Sequence, residues 1–228
     1  MNYLIDAIHI FFPTLCITCN SKLLNSENLI CTLCRHDLPI ICYKDYKDTK
    51  INKAFLGRVS IEIATSFLYF RKHGKTKTLM HHLKYKGNQA IGTWLGSWFG
   101  SIIKKSDLFK NIDLIVPVPL HKKKLKQRGY NQLTTFGKSL SKQLKCEFNP
   151  FILKRISSTK TQTLQQRFDR FKNTETTFQL QPKAQINGKH ILLIDDVITT
   201  GATLEACCLE LQKITDVRIS IITMAYTE

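Results

Sequence analysis

The 228-residue sequence predicts an α/β fold, a parallel, doubly wound sheet flanked by helices, with a small cysteine-rich module at its N-terminus. Three observations carry that expectation. From about residue 60, short β-branched or aromatic runs alternate with segments of helical periodicity, the pattern of parallel strands joined by helical crossovers. Ahead of them, Cys16, Cys19, Cys31 and Cys34 form two C-x2-C pairs. Near the end, the apolar run "HILLIDD" stops on two acids and passes through Thr-Thr-Gly-Ala-Thr into a further helical segment.

The elements follow in order. "MNYLIDAIHIFFPTLC" is greasy but lacks a basic start and carries Asp6 and His9, so an amphipathic helix is expected there and not a secretion signal. No apolar run approaches the length of a membrane span. The four paired cysteines then read as thiolates of a reducing, cytoplasmic chain. Two C-x2-C knuckles separated by eleven residues can point four sulfurs at one ion, the S4 tetrahedron that suits structural Zn²⁺. With no open coordination position, such a site holds the fold and performs no catalysis. "NSKLLNSENLI" between the knuckles is expected to form a short hairpin. Cys42, Cys146, Cys207 and Cys208 lack metal spacing. The helix and double zinc-ribbon-like module are assigned to residues 1–45. "CYKDYKDTKINK" (42–53) reads as polar linker, and the second domain spans 55–228.

"IEIATSFLYF" (61–70) is a strand, and "HLKYKG" (82–87) ends a helix capped by Gly87, with Lys84 and Lys86 as candidate phosphate or DNA contacts. "NQAIGTWLGSWFGSIIKK" (88–105) sets Ile91, Trp94, Leu95, Trp98, Phe99, Ile102 and Ile103 on one helical stripe, which reads as core. "NIDLIVPVP" (111–119) is a buried strand running into Pro117 and Pro119. "NQLTTFGKSLSKQL" (131–144) is an amphipathic helix with Leu133, Phe136, Leu140 and Leu144 on one side. "FILKR" is strand-like; "HILLIDD", "GATLEACCLELQKI" and "VRISIITMAY" give strand, helix and strand.

The net charge of +17 is unevenly spread. Residues 101–132 hold eight Lys/Arg against two acids, 142–172 repeat that ratio, and 191–228 hold six acids against two bases. A basic middle suits phosphates or nucleic acid, and it equally suits a solvated, soluble surface.

In an open parallel sheet, ligands bind beyond the carboxyl ends of the strands, where Asp195 and Asp196 are expected to face a site. The turn Thr199–Thr203 offers successive backbone N–H groups, the hydroxyls of Thr199, Thr200 and Thr203, and a helix dipole, which together make an anion nest. Gly201 allows close backbone approach. Carboxylates that accept from vicinal hydroxyls beside a phosphate nest suit a sugar phosphate. The turn has neither the G-x4-G-K-[ST] of nucleoside-triphosphate loops nor the G-x-G-x-x-G of dinucleotide folds.

The string "ILLIDDVITTGAT" resembles the phosphoribosyl-pyrophosphate (PRPP) signature of type I phosphoribosyltransferases. Together with "FFPTLCITC", "HHLKYKG" (81–87) and "DLIVPVPLHKKKLKQRGYNQ" (113–132), the chain resembles the ComF family, whose members are linked to natural competence, the uptake of DNA by bacteria. The resemblance implies a type I phosphoribosyltransferase-like sheet. It implies that Asp195 and Asp196 hold the ribose hydroxyls, while Val197, Thr199, Thr200, Gly201, Ala202 and Thr203 cradle the 5-phosphate. Val118 and Pro119 belong to the implied pyrophosphate loop, with Mg²⁺ bridging substrate oxygens. Arg128, in "RGYNQ", is expected to face the pyrophosphate, and with Asp195 and Asp196 makes the candidate catalytic set. Lys122, Lys123, Lys124 and Lys126 either serve that loop or form a solvated run. "STKTQTLQQRFDR" (158–170) resembles by position a flexible loop closing over PRPP, with Lys160, Gln162 and Arg167 as contacts. No side chain reads as a general base. Two functions stay open: Mg-dependent phosphoribosyl transfer to an acceptor, or non-catalytic PRPP binding by a factor that contacts single-stranded DNA or a helicase-like translocation partner. A PRPP-sensing regulator is a third.

Overall fold

The computed structural model describes residues 12–41, 49–156, 178–182 and 184–227. The apolar runs form β1 (Ile63–Phe70), β2 (Leu114–Pro117), β3 (Glu147–Phe148), β4 (Leu153–Arg155), β5 (Phe178–Leu180), β6 (His190–Ile198) and β7 (Arg218–Thr227). Five of them make one sheet in the order β1-β7-β6-β2-β3, with every pairing parallel. β4 and β5 stand apart as an antiparallel pair, which strict strand–helix alternation did not predict. Ile191, Leu192, Leu193 and Ile194 are fully buried, as a central strand covered on both faces requires.

The helices are α1 (Thr32–His36), α2 (Lys50–Lys53), α3 (Lys75–Tyr85), α4 (Ala90–Ile103), α5 (Lys122–Arg128), α6 (Leu133–Leu144) and α7 (Ala202–Leu211). After β2 the chain crosses through α5 and α6 to β3 on one side of the sheet; after β6 it crosses through α7 to β7 on the other. β2 and β6 are neighbours, with Val116 opposite Leu193 and Pro117 opposite Ile194. The strand order therefore reverses between them, and a crevice at such a switch point is where open α/β sheets take ligands.

The predicted stripe of α4 is narrower than its sequence suggests. Ile91, Leu95, Phe99 and Ile103 are buried, Trp94 and Trp98 are partly covered, and Ile102 is 36% exposed. The Phe99 ring stacks on Phe67 of β1 at 4.8 Å. A second face of α4 carries Gly92, Gly96 and Gly100 against α6: a Cβ on Gly96 would stand 2.6 Å from the Phe136 carbonyl oxygen and 2.9 Å from Ser139 Cβ. Small residues here bring α6 close, and α6 begins beside the switch point.

The cysteine module is fastened to the free edge of β1. Ile41 N–H donates to Phe67 O at 2.9 Å, Tyr69 N–H donates to Pro39 O at 2.8 Å, and Ile40 bridges Leu68 in antiparallel sense. Arg35 lies 4.5 Å over the Trp98 ring, and Lys75 pairs with Asp37 at 2.6 Å. Residues 49–53, read from polarity as linker, belong instead to the packed structure. Thr49 caps α2, Ile51 and then Phe55 are buried, and the Asn52 side chain accepts from Ala64 N–H at 2.5 Å. Two apolar residues at i and i+4 carry this anchoring, too few to show beside the polar run 44–53. Among the described residues, no helix is long and apolar enough to cross a membrane.

Candidate functional site

β6 runs to Ile198, so Asp195 and Asp196 lie within the paired strand; Asp195 sits opposite Thr223. Successive side chains on a strand point to opposite faces. The two carboxylates thus leave the strand in different directions. Asp195 lines the cavity beneath the following turn, and Asp196 meets Lys84 and Gln132 beside it.

Asp196 is held from α3 and α6. Its Oδ2 meets Lys84 Nζ at 2.9 Å and accepts from Gln132 Nε2 at 2.6 Å. The Gln132 side chain, 5% exposed, accepts in turn from Arg128 Nη1 at 2.8 Å, and the Arg128 guanidinium lies 5.1 Å over the Tyr85 ring. Arg128 therefore reaches Asp196 through Gln132 and not directly. The rest of "RGYNQ" is tied on both sides: the Tyr130 hydroxyl donates to Leu83 O, and Asn131 Nδ2 donates to Val118 O at 3.3 Å. α3 ends as "HLKYKG" predicts, with Lys86 at the cap and Gly87 at φ +72°.

Asp195 has a different setting. Its Oδ1 accepts from Asp196 N–H at 2.8 Å. Desolvation, helped by the Asp196 charge, pushes its carboxyl up to about 8, against the smaller opposing pull of that N–H and of Lys84 and Arg155.

The turn that follows is preset. Gly201, at φ +77°, is the cap residue of α7, and the first N–H groups of that helix have no intrahelical acceptors. Asp195, Val197 and the turn Thr199–Leu204 enclose a cavity of about 40 Å³. Thr199, Thr200 and Thr203 are exposed, as an anion cradle requires. Behind the turn, a Cβ on Gly201 would lie 3.2 Å from the Phe55 ring. Arg58 Nη1 donates to Thr200 O and to Ala54 O, each at 3.0 Å, and its Nη2 pairs with Glu205. Phe55, Arg58 and Glu205 carry no local signal in the sequence. Val118 is buried and donates its N–H to Ile194 O at 2.9 Å, prolonging the β2–β6 ladder; Pro119 is half-buried beyond it. Lys122, Lys123, Lys124 and Lys126 are exposed on α5. Lys160, Gln162 and Arg167 lie outside the described residues.

The Sγ atoms of Cys16, Cys19, Cys31 and Cys34 all lie within 4.8 Å of one another, a set that could hold a metal ion. Cys31 caps α1; its N–H donates to Cys16 Sγ at 3.3 Å, and Cys34 N–H donates to Cys31 Sγ at 3.5 Å. Burial opposes ionisation of Cys16, but hydrogen bonds from Thr18 and backbone N–H groups outweigh it and bring the thiol down to about 6. The hairpin expected between the knuckles is absent among the described residues. A single bridge, Leu15 with Lys22, closes the first knuckle, and Glu27 organises the rest by accepting from Leu24, Thr32 N–H and the Thr32 hydroxyl.

A parallel sheet with this switch point and this strand–turn–helix defines the phosphoribosyltransferase-like class, and residues 134–227 match the family described as phosphoribosyl transferase domain. The chain is similar to the proteins named competence protein F, competence protein ComFC and DNA utilization protein YhgH, in line with its resemblance to the ComF family. It is 35% identical to YhgH of Escherichia coli K12 over 55% of this chain and 56% of that protein. It is 35% identical to competence protein F of Haemophilus influenzae over 49% of each, and 28% identical to ComFC of Bacillus subtilis over 87% of this chain and 79% of that one. The matched stretch thus spans about half the length of the first two relatives.

Proposed function

We propose that the chain binds PRPP at the β2/β6 switch point as part of DNA handling in natural competence, in the cytoplasm. One observation carries this reading: the acids of β6 run directly into an anion cradle that Gly201, Phe55 and Arg58 fix in place, beside the loop that leaves β2. The cradle takes the 5-phosphate, Asp195 and Asp196 take ribose hydroxyls, and the Val118–Pro119 loop takes the pyrophosphate with Arg128 nearby. Mg²⁺, held mostly through water and PRPP itself, would make pyrophosphate a better leaving group. Lys84 and Gln132 hold Asp196 for the sugar. In transfer, an acceptor N–H or O–H attacks the anomeric carbon, the carbon–oxygen bond to pyrophosphate breaks with its electron pair, and the acceptor proton passes to solvent. Zn²⁺ is the metal proposed for the four cysteines.

The second reading is a PRPP-binding factor without turnover, which contacts single-stranded DNA or a helicase-like partner. The row of exposed lysines on α5, next to the pyrophosphate loop, favours it. Melting with and without Mg-PRPP, followed by pyrophosphate release across a panel of acceptors, tests both. A melting shift with release identifies the enzyme; a shift without release for any acceptor identifies the binder.

A further inference from the structure

Lys84 belongs to a closed circuit of contacts around Asp196. Its Nζ pairs with Asp196 Oδ2 at 2.9 Å, and the same oxygen accepts from Gln132 Nε2. Gln132 Oε1 accepts from Arg128 Nη1, and the Arg128 guanidinium returns to α3 over the Tyr85 ring. The circuit stands against the loop that leaves β2, because Tyr130 is tied to Leu83 O and Asn131 to Val118 O.

Its two cations are held differently. Arg128 is fixed: withdrawing it would strip the donor from Gln132 Oε1, on a side chain only 5% exposed, and leave a buried polar group unpaired. Lys84 has more freedom. Its side chain is 20% exposed, its ammonium sits on a flexible stem, and Asp196 keeps Gln132 when it leaves. A ribose hydroxyl donating to Asp196 would replace the bond that Lys84 gives up. Pyrophosphate in the adjoining loop, with several negative charges, would attract the released ammonium more strongly than a single carboxylate does.

We infer that Lys84 is a catalytic residue, held by Asp196 in the empty site and passed to the leaving pyrophosphate when the donor binds, a role that rests on the proposed PRPP site. Asp196 then has two successive partners, first the ammonium and then the sugar. The two halves of the donor are thereby coupled, since sugar on Asp196 frees the cation that pyrophosphate needs. In the transfer step the bond between the anomeric carbon and the pyrophosphate oxygen breaks with its electron pair. Lys84 stays protonated and donates a hydrogen bond to the oxygen on which that charge collects, while the acceptor proton passes to solvent as before.

The two halves can be supplied apart, as ribose 5-phosphate and as pyrophosphate with magnesium, and compared with Mg-PRPP. Each carries phosphorus, so ³¹P NMR titration of the full chain reads all three, and melting of the free variants reads folding. Lys84→Met should bind Mg-PRPP and pyrophosphate tenfold or more weakly, and ribose 5-phosphate at least as well as the unmodified chain does. Lys84→Gln, which keeps a donor for Asp196 but not the charge, should show the same split. Asp196→Asn should do the reverse, binding pyrophosphate more tightly and ribose 5-phosphate more weakly. Were Lys84 only a support for Asp196, Lys84→Met would weaken ribose 5-phosphate as much as Mg-PRPP and leave pyrophosphate unchanged. That result, or an unchanged Mg-PRPP affinity, would overturn the role of Lys84 and leave the donor site standing. Absence of Mg-PRPP binding by the unmodified chain would instead remove the donor reading itself.

Discussion

The cysteine cluster and the acid site are built in opposite ways. The cluster takes all four sulfurs from residues 16–34, and its hydrogen bonds run between near neighbours. The acid site draws its parts from most of the chain: Arg58 bonds Thr200 across 142 positions, and Gln132 bonds Asp196 across 64. A local cluster should fail when one ligand fails, with an all-or-none response. A dispersed site should degrade by degrees, each part removing a share of its geometry.

The largest effect should come from the cluster. Cys31→Ser, or chelation of the unmodified chain, should take bound zinc from one ion to none and cost several kcal/mol, seen as a fall in melting temperature of about 10 °C or more. Because Pro39–Ile41 extend the edge of β1, hydrogen exchange at Tyr69 N–H should rise at the same time. Retention of metal by Cys31→Ser would separate the cluster from the ion.

Next comes the seat of α6. Gly96→Val puts a side chain where a Cβ already meets Phe136 O at 2.6 Å, and should cost about 3 kcal/mol by overpacking. It should also weaken PRPP binding, because Gln132 stands at the start of the displaced helix. Loss of stability with unchanged PRPP affinity would show that Gln132 is not held through this packing.

The pH response of Asp195 is subtler. Its carboxyl is raised from 3.8 to about 8 in the fold, so as pH rises through that window the unfolded chain gives up its proton first and stability falls. Asp195→Asn should therefore gain on the unmodified chain from pH 4 to pH 8 in melting temperature, while losing PRPP. A constant difference across that range would place the carboxyl in an ordinary setting.

Arg58→Ala should have the smallest effect on folding, below about 1 kcal/mol, since the Arg58–Glu205 pair is partly exposed. Its effect on PRPP affinity should be about tenfold, as expected when a preset turn loosens. An unchanged affinity would make the bracing behind Thr200 incidental.

These differences mirror what the sequence made legible. Strands β1, β2, β6 and β7, helix α6 and the α3 end capped by Gly87 follow from periodicity and end signals, because local chemistry decides them, while the two-residue edge strand β3 is too short to leave a pattern. The cysteine tetrad follows from spacing for the same reason. The acid pair is legible at its strand end, whereas its partners Lys84 and Gln132 lie 112 and 64 positions away and leave no local signal. Arg128 follows from the motif, but its link to Asp196 through Gln132 does not. Phe55, Arg58 and the glycine face of α4 were invisible, since each matters only through a partner brought near by the sheet order.

The central claim is that Asp195, Asp196 and the Thr199–Thr203 turn form a donor site for PRPP. Melting of the unmodified chain and of Asp195→Asn/Asp196→Asn, each with and without Mg-PRPP, tests it most directly. The account predicts a rise of several degrees for the unmodified chain and none for the double variant. No rise in the unmodified chain, or an equal rise in both, would contradict it.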